Sequence, residues 1–374
     1  MIIINNEIVH MEPTKEFFIN ALTRDIKLDR TVLDLIDNSI DAARKSDRDF
    51  STFEIRLTLN KKCFIIEDNC DGISKESAKS YAFKFGNSQG KNTRQFSIGH
   101  YGIGMKRAFF KIGKMIYVES ATREDFFSLF LDVDEWSKSK EWNILFKDSG
   151  INDNHKKIGT KIEINKLTDE AKDSFSDEQF IKNLIDTISK TYENDIRRGI
   201  KIIVNGRGIT ISSRDSETEI LKYSIDCRNY TAEIIIKKDI PNYNESGWYV
   251  KVNDRLVVSA DKTELTGWDI SSDSKYDILR GYAYIKILKE APPFNTIKEG
   301  LDTSNPIYKE LKNYMRKALQ EALPKIKGGY FANITYQRPR NEADKLKKIL
   351  NVKSYKKIGE ITYEDYLEKN NIKV

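Results

Sequence analysis

Three glycines spaced G-x-x-G-x-G, at Gly99, Gly102 and Gly104, run directly into Lys106. Glycine adopts backbone conformations, and permits close approaches, that a Cβ forbids. A glycine run that opens a helix, expected here from Met105, presents unpaired N–H groups at the positive end of the helix dipole. A lysine beside it completes an anion site. Ahead of the run lie Phe85-Gly86-Asn87-Ser88 and a polar stretch, Gln89–Gln95. That stretch is too long and too polar for a hairpin turn and reads as a mobile flap.

Other motifs flank this loop. Thr31 to Lys45 reads as a helix, with Leu33, Ile36 and Ile40 at i, i+3 and i+7. Asp34, Asn38 and Asp41 share one face, and carboxylates with an amide oxygen are hard ligands suited to Mg²⁺. An acidic solvated helix face would give the same pattern. Phe53–Leu59 and Cys63–Glu67 read as paired strands, with Asn60–Lys62 as the turn. Asp68 ends the second strand, placed to accept a hydrogen bond from a ligand amine. Gly72 would let backbone approach a flat ring, although Asp-Gly is also an ordinary turn. Gly159-Thr160 enters a strand at Lys161–Ile164. A polar loop, Pro293 to Lys298, ends in lysine between a strand (Tyr282–Leu288) and a helix (Asn305 to about Lys325).

Ser176 to Arg198 reads as one amphipathic helix, after which the pattern turns to strands. This suggests residues 1–199 and 200–330 as two domains and 331–374 as an appendage. Hydrophobic residues make up 39% of the 374 and prolines number 7, which marks a globular chain rather than a disordered one. No apolar run approaches the ~20 residues of a membrane span, and the start carries no basic segment with a cleavage site. No membrane partner is expected, and the location is expected to be cytoplasmic. Cys63, Cys70 and Cys227 are not spaced as zinc ligands and are expected as free thiols. From Lys312 to Val374 there are 15 Lys or Arg against 7 Asp or Glu, a local +8 in a chain whose total is +6. Such a segment can meet nucleic acid, or it can be a solvated helix face.

Taken in order, DLIDNSIDAA, the strand ending in D-x-x-x-G, FGNSQG…IGHYGIGMKRA and the later Gly-Thr strand resemble the GHKL ATPases. That superfamily includes gyrase, the large heat-shock chaperone, histidine kinases and MutL, and the wording looks closest to the MORC-like branch and its bacterial relatives. The resemblance spans residues 14–200 and extends more loosely to Lys298. It implies an α+β chain, a Bergerat-type α/β sandwich followed by a transducer-like α/β domain, with an N-terminal dimerisation segment. It implies ATP and Mg²⁺, with Asn38 on the metal, Asp34 as the base that activates water, Asp68 on the adenine amine and Thr160 supporting it. Gly99, Gly102, Gly104 and Lys106 would cradle phosphates. Gly72, Ile73, Gly86, Asn87, Ser88, His100, Tyr101, Ile103 and Met105 complete the nucleotide contacts, and Lys298 would reach the γ-phosphate. Two departures stand out. The usual base is glutamate, and Asp34 sets its carboxylate back by ~1.5 Å, a misplacement that can cost about a hundredfold in rate. Cys70 replaces a glycine of the adenine loop. The implied activity is slow ATP hydrolysis by an ATP-gated clamp, homodimeric when ATP-bound. It would act on DNA or a protein effector, by analogy in bacterial defence or genome maintenance. The alternative is a nucleotide-dependent scaffold with little hydrolysis, acting through a protein partner. A histidine kinase is disfavoured because the nucleotide domain starts near residue 14. A full chaperone or complete MutL is disfavoured by length.

Overall fold

Apolar residues between positions 54 and 208 and again after residue 217 build two separate sheets. The computed structural model describes residues 13–326, apart from 87–97, 100, 154–155, 212–215, 269, 271–275, 290–291, 296–297 and 299. In chain order the elements are α1 (Lys15–Thr23), α2 (Leu28–Lys45), β1 (Glu54–Leu59), β2 (Cys63–Asp68), α3 (Lys75–Ser77), α4 (Gly104–Ile112), β3 (Gly113–Ala121), β4 (Asp125–Asp132), α5 (Val133–Lys138), β5 (Phe146–Ile151) and β6 (Gly159–Leu167). Then come α6 (Asp169–Ser176), α7 (Glu178–Thr191), α8 (Glu193–Arg197), β7 (Lys201–Val204), β8 (Arg207–Gly208), β9 (Thr218–Asp226), β10 (Tyr230–Lys238), β11 (Gly247–Val252), β12 (Arg255–Asp261), β13 (Leu279–Ile287) and α9 (Pro306–Ile326). The chain is thus a mixed α/β protein. Among the described residues no helix is long and apolar enough to cross a membrane.

The first sheet runs β5-β4-β3-β6-β2-β1-β7-β8. Its pairings are antiparallel except β1 with β7, and α6 to α8 carry the chain from β6 across to β7. α2 packs its Val32, Leu33, Ile36 and Ile40 into the same core as Ile55, Phe64, Ile116 and Ile164 of the strands, together with Phe109 of α4. Asp29 in its first turn and Arg44 and Lys45 in its last complement the helix dipole. The second sheet runs β12-β11-β13-β10-β9. The apolar stripe of α9 (Ile307, Leu311, Met315, Ala318, Ala322) covers it.

Two expectations change. The sheets divide between Gly208 and Thr218 rather than at Gly199, because Lys201–Val204 pairs with β1. Ser176–Arg198 is not one helix. Asp177 caps α7 by accepting from the Gln179 N–H, and Tyr192, at φ −110 and ψ 23, ends it. The pattern also gave no sign of α1, β5, β9 or β12.

Side by side, α7–α8 and the β11–β12 hairpin join the two layers. Lys251 Nζ lies 3.0 Å from Glu193 and 3.0 Å from Asn194. Arg44 grips both oxygens of Asp195 at 2.9 and 2.7 Å and donates to the Asn253 carbonyl at 2.6 Å. Asn253 and Asp254, at φ +51 and +64, form the tight turn that brings that carbonyl forward.

Two glycines test the strand geometry. Gly159 (φ +141) would place a Cβ 2.0 Å from the Asp68 carbonyl oxygen, whereas Gly206 (φ +78) would place one in open space. Gly206→Ala is expected to cost about 1 kcal/mol, the left-handed backbone penalty alone. Gly159→Ala is expected to cost clearly more, because β6 must also move off β2. Urea unfolding of the two variants checks this order, and equal losses would contradict the close approach.

Candidate functional site

α2 and the N-terminus of α4 border a cleft of about 520 Å³. Asp34, Asn38, Gly72, Ile73, Gly99, Tyr101, Gly102, Ile103, Gly104, Met105, Lys106 and Lys298 contribute to its lining. From Thr31 to Asp41 every residue is buried except Asn38, so the helix turns one amide into the cleft. Gly104 lies close against Asp34: a Cβ there would meet Asp34 Cγ at 3.0 Å and press on its carboxylate. Gly72 (φ +73) is wedged against β3, where a Cβ would fall 2.1 Å from the Ala121 carbonyl oxygen. Gly86 borders open space. Asn87, Ser88, His100 and the stretch 89–95 lie outside the described residues.

Asp41 does not point a free carboxylate at a metal. Its two oxygens accept the N–H groups of Ile98 and Gly99 at 2.9 and 2.8 Å, so it moors the glycine loop to α2. Lys106 is buried, and its ammonium donates to the Ala82 carbonyl at 3.1 Å. Tyr101 leaves the loop in the opposite direction and donates to the Phe294 carbonyl at 2.6 Å, joining the glycine loop to the lysine loop.

Asp68 accepts from the Ser39 hydroxyl at 2.6 Å, the Cys70 N–H at 3.0 Å and the Thr160 N–H at 3.3 Å. Burial pushes its pKa up, and the three donors only partly offset this. The Thr160 hydroxyl lies 2.8 Å from that of Ser120. Asp68 and Thr160 line a separate hollow of about 620 Å³ over the strands. The sequence-derived residues are therefore not all in one cavity. Ser39, the neighbour of Asn38, is what ties Asp68 to α2. Cys70 turns inward, its Sγ 3.3 Å from the Ser39 carbonyl, and burial pushes its thiol pKa up. Cys63, Cys70 and Cys227 are free thiols.

The densest chemistry lies where no single motif pointed. Lys298 is buried, with Nζ 3.0 Å from Asp34 Oδ1 and 2.6 Å from Asp37 Oδ2. Arg107 Nη2 sits 2.5 Å from Asp34 Oδ2. Arg255 Nε lies 2.8 and 3.1 Å from the two oxygens of Asp37. The Tyr192 hydroxyl is 2.6 Å from Asp37 Oδ1. Asp34 therefore stands here as a carboxylate clasped by two cations, one on each oxygen, rather than as a base open to water. Burial alone would raise the Asp37 pKa, but Arg255 and Lys298 overcome it and hold it at about 2. Burial alone would lower the Lys298 pKa, but Asp34 and Asp37 raise it above its ordinary value, so both groups stay charged.

Sequence reasoning missed Asp37, Arg107, Tyr192 and Arg255. Asp37 had a signal: it stands four residues after Leu33 and three before Ile40, inside the apolar stripe, where an acid must be paired.

Residues 26–163 match the family of histidine kinase-, DNA gyrase B-, and HSP90-like ATPases. The matched span holds α2, the glycine loop, Asp68 and Thr160, but ends before Lys298 and Arg255. No curated protein matches the chain. Among the described residues no group of three or more His, Cys, Asp or Glu could hold a metal ion. A cation at Asn38 would therefore share its coordination with ligand oxygens and water, the usual habit of Mg²⁺.

The Asp37 shift gives a pH signature. Its pKa is lower folded than unfolded (about 2 against ~3.9), so in the acid range the unfolded chain binds the extra proton. The stability it contributes is complete above about pH 4 and is lost as pH falls toward 2. In urea unfolding, the stability gap between the parent and Asp37→Asn is expected to narrow by about 1 kcal/mol from pH 5 to pH 3. A gap that does not change with pH would remove Asp37 as an ionised, paired group.

Proposed function

We propose that the chain binds ATP with Mg²⁺ in the 520 Å³ cleft and hydrolyses it slowly, as a nucleotide-gated switch between its two layers. One observation carries this. Lys298, from the second layer, meets Asp34 beside Asn38 and the glycine loop, in a cleft bordered by a helix N-terminus. The residues present suit the ligand. Asn38 offers an oxygen to a hard cation, the α4 N-terminus offers N–H groups to phosphate, and Asp68, which lines the other hollow rather than this cleft, would offer an acceptor to an amine that reaches across to it. Bound Mg²⁺ would neutralise phosphate charge. In this reading Asp34 orients and deprotonates the attacking water once its cations are engaged elsewhere, and Lys298 distinguishes ATP from ADP by the γ-phosphate.

The finer reading adds an ATP-dependent homodimeric clamp on duplex DNA, in defence or genome maintenance. Its support is the MORC-like wording of the motifs and the charge of the segment from Lys312 onward. Residues 1–12 and 327–374, which would carry the dimer arm and most of that charge, lie outside the described residues. Contact of this electrostatic kind weakens steeply with salt.

A second reading, a nucleotide-dependent scaffold with little hydrolysis that acts on a protein partner, is favoured by the double clasp on Asp34. With Arg107 on one oxygen and Lys298 on the other, Asp34 has both carboxylate oxygens engaged rather than facing a water. Asp34→Glu separates the two, because a longer side chain restores reach toward the phosphates. Its steady-state ATPase is expected to rise by about tenfold or more if hydrolysis is the function. An unchanged and negligible rate in both proteins would favour the scaffold.

Lys298→Ala is expected to leave ADP affinity nearly intact, while hydrolysis and analogue-driven dimerisation both fall, since only a contact that differs between states shifts their balance. Asp68→Asn is expected to weaken both nucleotides alike, by about 1–3 kcal/mol. Calorimetry with ADP and with a non-hydrolysable ATP analogue, beside light scattering, reads both variants. Parent-like behaviour of Lys298→Ala would refute the coupling.

A further inference from the structure

Arg255 touches Lys298 at both of its ends. Its Nε pairs with the Asp37 carboxylate that holds the Lys298 ammonium, and its Nη1 donates to the Lys298 carbonyl at 3.2 Å. The lysine needs such support. It is a non-glycine residue at φ +55, a left-handed backbone that persists only where its surroundings over-determine it. Arg255 is fully buried at the start of β12, and its partner Asp37 is fully buried on α2. The order of charges is continuous: Arg107, Asp34, Lys298, Asp37, Arg255, alternating in sign from the rim of the cleft to the second sheet.

We propose that Arg255 is a positioning residue for Lys298, fixing its backbone through the carbonyl and its ammonium through Asp37, so that the state of the cleft is transmitted to β12. The planar guanidinium is what the geometry demands. It reaches a carboxylate from Nε and a carbonyl from Nη1, two separate nitrogens held in one plane, whereas a lysine would have to reach both from a single nitrogen. Without that bridge the strained loop relaxes, and Lys298 follows Asp37 rather than facing Asp34 and the cleft. The transmission half of this inference rests on the nucleotide reading above; the positioning half does not.

The test uses the full chain in four forms: parent, Arg255→Lys, Lys298→Ala and the double variant. Amide exchange is first followed without nucleotide. In Arg255→Lys the peptides covering 292–302 are expected to exchange about tenfold faster while those of α4 keep the parental rate, the pattern of a local rather than global opening. The affinity ratio between a non-hydrolysable ATP analogue and ADP is then measured. Arg255→Lys is expected to lose as much of that preference as Lys298→Ala, with no further loss in the double variant, because the two residues act as one unit. Should Arg255→Lys not fold, Asp37→Asn keeps the side-chain shape, removes the charge that Arg255 and Lys298 share, and carries the same expectation. Parental exchange in 292–302, or losses that multiply in the double variant, would overturn the proposal. If the parent binds neither nucleotide, the nucleotide reading fails while the exchange result still decides the positioning.

Discussion

A single buried carboxylate, Asp37, organises the junction of the two layers. It lies on the apolar stripe of α2, where an unpaired charge would cost several kcal/mol. α2 cannot satisfy it locally. The compensating groups arrive from three distant places: Tyr192 between α7 and α8, Arg255 on β12 and Lys298 after β13. Folding the first layer supplies the Tyr192 hydroxyl but leaves a demand for positive charge, which the second layer meets with Arg255 and Lys298. Removing one partner leaves a buried charge exposed to the others, which is why such a cluster fixes geometry more than it adds stability.

The rest of the interface follows from that fixed point. With α2 and β12 registered by Asp37 and Arg255, Arg44 on the last turn of α2 falls opposite the Asn253-Asp254 turn and binds Asp195 on α8. Lys251 reaches α8 from the neighbouring strand. Tyr101 then bonds the glycine loop to the backbone of the lysine loop, so the cleft is bordered by both layers. These contacts form one chain of ion pairs and hydrogen bonds, and a displacement at Asp34 has a physical route to β12.

How much of this was legible in the sequence depends on the range of the contact. α2, the β1–β2 hairpin and the helix after Gly104 follow from local periodicity and glycine, and the structure places them within a residue or a few of the expected limits. Gly159 and Thr160 stand beside Asp68 because β6 pairs with β2 at that point, a long-range neighbourhood that local periodicity does not carry. Asp37 announced itself only as an acid out of place. Its partner Arg255 did not, because it opens a strand whose buried residues, Arg-Leu-Val-Val, show no alternation. Arg107 was hidden by position, sitting where the glycine motif drew attention to Lys106. Lys106 in turn lies on the Ala82 carbonyl, a contact that depends on the turn after α3 and that no spacing rule predicts. The boundary at Gly199 misled because a glycine after a long helical stretch looks like an end. Here it is the return of a crossover into the same sheet.

Two carboxylates near the cleft are driven in opposite directions, and the contrast separates their work. Asp37 is matched by cations and is held at about 2, well below the ordinary range, so it is charged at any neutral pH and functions as a fixed strut. Asp68 receives only neutral donors, a hydroxyl, two backbone N–H groups and the Cys70 thiol, and burial pushes its pKa up. A carboxylate desolvated without a cation is one the fold alone would not favour, and perturbations of this kind concentrate at functional sites. Cys70, standing where a glycine was expected, keeps its sulfur 3.3 Å from the Ser39 carbonyl and also adds a weak thiol donor to Asp68. All of these donors are neutral, so burial still prevails. A ligand N–H at Asp68 would lower the desolvation cost that the protein itself leaves uncompensated.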